Sequence, residues 1–362
     1  MNIWNLPGPL TYITSIEKAL RDGCNVISAT PIHTVTGLAE ALRCRFLDDG
    51  WTVRGPFQDV LENPLDFLYQ ALDVPDIGSN RRSISTLLSN LEPGALVIID
   101  SLPPNQWIEW KLFLSEYEAA SRGVPRSERP LLLVVTSGVP LAELGDNGAA
   151  LKIFPWQNVI GEFDMMLFVL PSLIAVTRRS RSVRLQARII ARLAMWDFDL
   201  AMQLTSCYDT LLFEPVKALQ WAMETLDPAS WMIATWESGG RMLIDDIQQE
   251  HSYLLLADPL GHKKLRLRLW EAQASDFFPL IEKKRHELAQ HMRPFVRLPI
   301  KLGEQSFSEI DELEIGQLAF LAHSLSLKPS LRKSAEKLRR CRNKLAHMEP
   351  LSHSESYDIS SM

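Results

Sequence analysis

The sequence predicts an α/β domain followed by all-α structure: a parallel sheet with helices on both faces, then a helical middle region, then a C-terminal helical bundle. Two observations carry this. In the first 170 residues short strand-like stretches ("NVISA", "ALVII", "LLLVV"), the last two of them continuous apolar runs, alternate with helical stretches, and strands buried on both faces of a parallel sheet read as such runs. Beyond that point apolar residues recur at three- and four-residue spacing, the period of amphipathic helices. The chain's 362 residues also exceed the roughly 250–300 at which one core stops growing.

In order, "CNVISATP" (24–31) is a strand, and "TGLAEALRCRFLDDGW" (36–51) is a helix closed by Gly50. Helical stretches follow at "PLDFLYQALDV" and "RSISTLLSNL". Next come the strand "ALVIID" (95–100), the helix "NQWIEWKLFLSEYEAASRG", the strand "PLLLVVTSG" (130–138) and a last short strand in "AALKIFPW". These define a first domain over 1–170.

A helical region spans 171–262. It opens with "TRRSRSVRLQARIIARLAMWDFDLAMQL", a basic run that begins at Arg178 and Arg179. Within it Arg184, Arg188 and Arg192 repeat every four residues and therefore share one helical face. Such a ridge either tracks the phosphates of a nucleic acid or is a solvated face or a contact for an acidic partner. The bundle covers 263–350: the long helix "KKLRLRLWEAQASDFFPLIEKKRHELAQHM", the helix "EIDELEIGQLAFLAHSL", and after Pro329 the helix "SLRKSAEKLRRCRNKLAHM". The closing residues, 351–362, are polar and follow a proline, and are expected to be a disordered tail.

Composition narrows the classes. Apolar residues make up 46% and charged residues 23%, the balance of a folded globular protein. A net charge of −6 argues against wholesale coating of nucleic acid and leaves room for a local basic patch. Four cysteines, Cys24, Cys44, Cys207 and Cys341, show no paired spacing, so neither a zinc site nor a disulfide framework is expected. The N-terminus lacks the pattern of a signal peptide and no apolar run is long enough to span a bilayer. The expectation is a cytoplasmic protein with no membrane contact, metal or cofactor.

"ALVIID" places Asp100 at the C-terminal edge of a strand, where such a carboxylate holds a Mg²⁺-bound water in P-loop ATPases or caps the next turn. The order of parts (strand and loop, the Asp strand, then a strand ending in Thr136-Ser137) resembles AAA+ and STAND-type ATPases. A working P-loop reads GxxxxGK[ST], and the matching stretch here is "ATPIHTVT", Ala29 to Thr36. Only Thr36 fits. Ala29 and Thr34 stand where glycines belong and Val35 where the phosphate-binding lysine belongs. Without them the backbone cannot wrap the phosphates and their charge goes unanswered. The resemblance is thus to a degenerate P-loop domain, with Thr36 and Asp100 as vestigial nucleotide and Mg²⁺ positions and no ATP hydrolysis.

Near the end of the last long helix, "RNKLAH" has the form Arg-x4-His with Asn directly after the Arg. This stretch resembles the motif of the HEPN family of helical domains. In that family two copies meet across a dimer and cleave RNA without metal. The resemblance implies catalytic roles for Arg342, Asn343 and His347, with Glu282 of "PLIEKKR" as a carboxylate that pairs with Arg342 or Arg285. Five residues along a helix turn about 500°, so Arg342 and His347 lie about 140° apart, and one copy makes only a loose site. Two readings stay open. One is a metal-independent endoribonuclease or toxin-like effector acting on RNA, as in prokaryotic antiviral defence systems, with the sheet domain as sensor or assembly platform. The other is a non-enzymatic adaptor in a multiprotein complex. Both imply a homodimer or a larger assembly.

Overall fold

The computed structural model of the chain describes residues 2–58, 63–74, 82–125, 128–176, 180–226 and 229–362. The chain divides into two compact units, one of residues 1–164 with 228–254, the other of residues 165–227 with 255–362.

The sheet unit holds strands β1 (Asn25–Thr30), β2 (Val53–Phe57), β3 (Leu96–Leu102), β4 (Leu131–Ser137) and β5 (Leu151–Pro155). They form one parallel sheet in the order β2-β3-β4-β1-β5. Every residue of β1 is buried, and its three polar residues each find a partner. Asn25 Oδ1 accepts from the Leu132 N–H at 2.9 Å. Ser28 Oγ lies 2.7 Å from the Tyr12 hydroxyl, and Thr30 Oγ1 donates to the Thr136 carbonyl at 2.7 Å. Helices α1 (Pro7–Arg21) and α2 (Leu38–Asp48) pack on the sheet. Helices α3 (Pro64–Ala71), α4 (Ile84–Asn90) and α5 (Pro104–Ser121) share a second core with Ile27, Val97, Ile99, Leu132 and Val134, in which Trp107, Trp110 and Tyr117 are fully buried.

Strand β2 was not expected, because "TVRGPF" reads as a loop. The structure puts it at the sheet's edge, the place where a proline that cannot donate to the ladder is tolerated. Gly55 there has φ of +93°, and a Cβ would come within 2.4 Å of the Ile98 carbonyl oxygen, so only glycine lets the two strands approach.

The expected middle region, 171–262, is not a unit of its own. Its last part joins the sheet unit as an antiparallel hairpin, β6 (Arg241–Ile244) with β7 (Ile247–Glu250). Asp245 and Asp246, both at positive φ, form the two-residue turn, the backbone that type I′ hairpins require. Asn158 Nδ2 donates to Asp246 Oδ1 at 2.9 Å and ties the turn to the loop after β5.

The remaining helices are α6 (Glu162–Val176), α7 (Ser180–Ala194), α8 (Phe198–Thr205), α9 (Asp209–Leu212), α10 (Pro215–Met223), α11 (Ser252–Leu256), α12 (Pro259–Met292), α13 (Ile315–Ser324), α14 (Pro329–Ala346) and α15 (His353–Ser361), with a small hairpin, β8 (Ile300–Leu302) and β9 (Gln305–Phe307), between α12 and α13. Helices α6 and α11 straddle the division between units. Arg178 and Arg179 lie outside the described residues. Among the described residues no helix is long and apolar enough to cross a membrane. The core of the helical unit is built from Phe277, Ile281, Leu288 and Met292 of α12, Ile315 and Leu318 of α13, and Leu338, Cys341 and Leu345 of α14.

The expected disordered tail, 351–362, is instead the ordered helix α15. Ser352 caps it, accepting from the Glu355 N–H while Glu355 accepts from the Ser352 N–H, the reciprocal pattern that satisfies two orphan donors. Leu351 and Ile359 are buried in the same core. Glu355 also pairs with Lys344 at 2.7 Å. Burial raises the Glu355 pKa, but the Lys344 ammonium and the Ser352 N–H outweigh it and hold the carboxyl below its ordinary value. If α15 is integral to the core, Ile359→Ala should cost about 2–4 kcal/mol in urea unfolding, as for other buried large-to-small changes. A frayed tail would show less than about 0.5 kcal/mol.

Candidate functional site

Helix α14 buries Ala335, Leu338, Cys341 and Leu345, a spacing of three and four that sends the intervening polar residues to the opposite face. It ends at His347, after which Met348 takes φ of +57°. The Glu349 N–H reaches the Lys344 carbonyl at 2.9 Å and the Met348 N–H reaches the Leu345 carbonyl at 3.2 Å. These are the paired bonds of a Schellman motif, with methionine where glycine is usual. The Leu345 carbonyl also accepts from the Trp270 indole at 2.7 Å, so α12 holds this helix end in place.

On the outer face of that last turn a shallow cleft of about 310 Å³ is lined by Arg339, Arg340, Asn343, Lys344 and His347, together with the acids Glu336 and Glu349. Asn343 and His347 are exposed and Arg342 is half-buried. Arg342 is not among the lining residues, in keeping with the 140° offset that the helical pitch imposes. The structure therefore brings Asn343 and His347 together and directs Arg342 elsewhere. Among the described residues the side chains of Arg342, Asn343 and His347 make no hydrogen bond or ion pair within the chain, in contrast to their neighbours: Arg339 pairs with Glu336 at 2.8 Å and Lys344 with Glu355. His347 caps the helix only through its backbone, whose N–H meets the Asn343 carbonyl at 3.0 Å. Glu282 pairs with Arg285 at 2.8 Å, one of the two partners expected for it. Arg285 also donates to the Asp311 and Leu313 carbonyls, both at 3.0 Å, which makes the pair a support for the α12–α13 connection.

At the sheet, no hydrogen bond joins Thr36 and Asp100 among the described residues. Thr36 is exposed just before Gly37, which has φ of +89° and serves as N-cap of α2. Glu40 sits in the first turn of that helix, placing negative charge where a phosphate would need positive charge. Asp100 accepts from Gln58 Nε2 at 3.1 Å and from the Ser101 hydroxyl at 3.3 Å. Ser101, at φ of +59°, marks a register shift between β3 and β4.

The strand order puts the topological switch point between β1 and β4, because the connections leaving these neighbours run in opposite directions. Ligands of open α/β sheets bind in the crevice beyond such strand ends. In this chain its own residues fill that place. The Ile32 N–H, in the loop after β1, donates to the Glu237 carbonyl at 2.8 Å. His33 lies against Trp231, with ring centroids 5.6 Å apart, and Trp231 stacks on the fully buried His251 at 4.4 Å and 12°. Burial lowers the His33 pKa, so the neutral ring is the form that fits. A Cβ on Gly239 would fall 2.5 Å from the His33 carbonyl oxygen, which shows how closely the two segments approach. The sequence reading missed this plug, and its one visible signal was "SGG" (238–240) set among Trp231, Trp236 and His251.

The arginine ridge of α7 also has its partner inside the chain. Arg188 bonds to Asp276 of α12, Arg184 reaches the same carboxylate at 3.3 Å, and Arg192 meets Glu271 at 3.1 Å. Within the chain the ridge therefore pairs with Glu271 and Asp276, two carboxylates five residues apart on α12. Arg188 and Asp276 retain only 15% and 14% side-chain exposure, enough desolvation that an unpaired charge there would be costly.

No protein-family model, curated protein or solved structure matches the chain.

Two outcomes follow from this geometry. Arg188→Glu, which sets a second carboxylate against Asp276, should lower unfolding free energy by about 3 kcal/mol, measured by chemical denaturation, while an exposed, idle arginine would lose under about 0.5 kcal/mol. Hydrogen exchange on the full chain should find the Ile32 amide protected without nucleotide and unchanged by millimolar MgATP. Faster exchange at Ile32 upon ATP addition would mean that the crevice opens to take nucleotide.

Proposed function

We propose that the chain is a HEPN-type, metal-independent endoribonuclease of the effector or toxin-like kind, completed by a second copy of itself, with the sheet unit as a platform that has no nucleotide chemistry. One observation carries the reading: Asn343 and His347 share a cleft with Arg339, Arg340 and Lys344, and neither side chain is engaged within the chain. A polar pair held for stability would be bonded inside the bundle. A pair held for a ligand is left open.

The chemistry asks little of one copy. RNA supplies its own nucleophile, the 2′-hydroxyl, so cleavage needs a group that moves a proton and cations that stabilise the phosphoryl oxygens. His347 is the imidazole suited to the first task near neutral pH. Arg339, Arg340 and Lys344, which pair with Glu336 and Glu355 within the chain, would exchange those carboxylates for the phosphate backbone. Arg342, directed away from His347 of its own copy, serves the scissile phosphate of a site shared across a two-fold axis, where an isologous contact brings each copy's Arg342 toward the other's His347. Prokaryotic antiviral defence is the setting that the motif's resemblance implies.

The adaptor reading keeps one observation of its own: residues 231–251 of the chain itself pack against the loop after β1, at the switch-point crevice.

Purified full-length protein incubated with mixed cellular RNA in EDTA should cleave it, and His347→Ala should reduce cleavage by a factor on the order of 10²–10⁴ with helix content and sedimentation unchanged. A monomer that cleaves no RNA would overturn the nuclease and leave the adaptor.

A further inference from the structure

The two units differ in charge. The helical unit carries 25 lysines and arginines against 20 acidic residues, and the sheet unit 13 against 24. A polyanion is therefore drawn to the helical unit. Many of that unit's cations are held by acids of the same chain, as are Arg188, Arg285, Arg339 and Lys344.

The segment that follows α12 is different. It leaves the helix through one turn of 3₁₀ helix, Arg293–Phe295, and Val296 is extended at φ of −110°. From there to the end of β8 the side chains alternate. Val296 is buried, and Leu298, Ile300 and Leu302 pack half-buried against the same core. Phe295, Arg297, Pro299 and Lys301, which stand between them, are exposed, as is Arg293. A two-residue period sends one row inward and the other outward, so the inner row anchors the outer one. Among the described residues the side chains of Arg293, Arg297 and Lys301 make no hydrogen bond or ion pair, and Phe295, 51% exposed, meets no other ring. The acids nearby are turned elsewhere. Strand pairing sets Ser306 opposite Lys301, Glu309 and Glu312 accept from backbone N–H groups in a capping box, and Asp311 binds His286 and Gln290. Glu304 in the hairpin turn leaves one carboxylate against three cations.

We infer that this outward row binds a single strand of RNA, with Arg293, Arg297 and Lys301 on its phosphates and Phe295 stacked on a base. Cations alone suit any polyanion. The exposed ring decides for a single strand, because a duplex stacks its bases inside and offers Phe295 no free face. The anchored inner row holds the outer one in place before the strand arrives, so little order is lost on binding. That the strand is RNA rests on the nuclease reading. Trp270, which holds the end of α14 that carries His347, and Met292 lie about 33 Å apart along α12 at 1.5 Å per residue, so this face is a second contact and not part of the cleft.

Fluorescence anisotropy on the full-length His347→Ala protein in EDTA tests this, with a labelled single-stranded RNA of about 12 nucleotides. Phe295→Ala should weaken binding about tenfold and leave binding of a duplex RNA of the same length unchanged. Arg293→Gln, Arg297→Gln and Lys301→Gln together should flatten the dependence of log affinity on log salt by about 2, for three phosphate contacts at about 0.7 each. Neither variant should lower the melting temperature, since the side chains are exposed. Three results would each overturn the proposal: single-strand binding unaffected by Phe295→Ala, an unchanged salt dependence in the triple variant, or no single-strand binding by a protein that these residues hold on phosphatidylserine vesicles. The nuclease reading fails separately. Strand binding that both variants weaken, in a wild type that cleaves nothing, sinks the nuclease and keeps this surface, whereas cleavage with binding unaltered in both variants does the reverse.

Discussion

The helical unit turns on a single buried side chain. Gln273, fully enclosed on α12, donates from Nε2 to the Leu351 carbonyl at 2.9 Å and accepts the Leu351 N–H on Oε1 at 2.6 Å. This two-point clamp grips the main chain between α14 and α15. On one side of it lies the turn that carries His347, and on the other the helix that carries Ser356 and Tyr357. An amide in this position does what an apolar residue cannot, because the Leu351 backbone groups would otherwise be buried without partners, at about 1–3 kcal/mol each. The Trp270 indole on the Leu345 carbonyl repeats the device one turn away. The cleft at His347 inherits its geometry from α12, a 34-residue helix whose Glu271 and Asp276 also receive the α7 arginines.

The sheet unit is organised by another logic. Its strands are enclosed by two helical layers, so polar groups inside them are matched locally across neighbours: Asn25 to Leu132, Ser28 to Tyr12, Thr30 to Thr136. What distinguishes it is the use of the strand ends. Where open sheets commonly receive a ligand, this chain folds its own residues 231–251 into place, with glycine at 239 and 240 because each backbone passes within touching distance of another. The loop after β1 holds neither glycine nor lysine from Pro31 to Thr36, and the plug meets it at Ile32 and His33.

What could be read from the sequence divides along physical lines. Strands β3 and β4 were legible because burial on both faces demands a continuous apolar run, and the long helices because their stripes persist over several turns. Strand β2 was hidden by Gly55-Pro56, residues that speak for a loop unless one knows the strand lies at an edge. Helix α15 was hidden by polar composition, although Ser352 and Glu355 spell its capping box. The four-residue repeat of Arg184, Arg188 and Arg192 was plain, but its partners Glu271 and Asp276 lie some eighty positions away and only packing pairs them. The candidate residues fared similarly. The helical offset between Arg342 and His347 followed from pitch alone, whereas the clamp of Gln273 on Leu351 could not, since its two partners lie 78 positions apart in the chain.

The sheet unit is discontinuous in the chain: residues 1–164 are interrupted by 63 residues of the helical unit before 228–254 return to it. During synthesis the five strands leave the ribosome well before their plug does. From Gly138 to Glu237 is about a hundred residues, or roughly 5–20 s of elongation, and through that interval the nascent sheet presents the Ile32 amide and the gap between β1 and β4 with nothing in them. A newborn copy is therefore chemically different from a finished one at this edge. Any chaperone or partner that recognises the open crevice has a window set by translation speed, and slow codons between these two points would lengthen it.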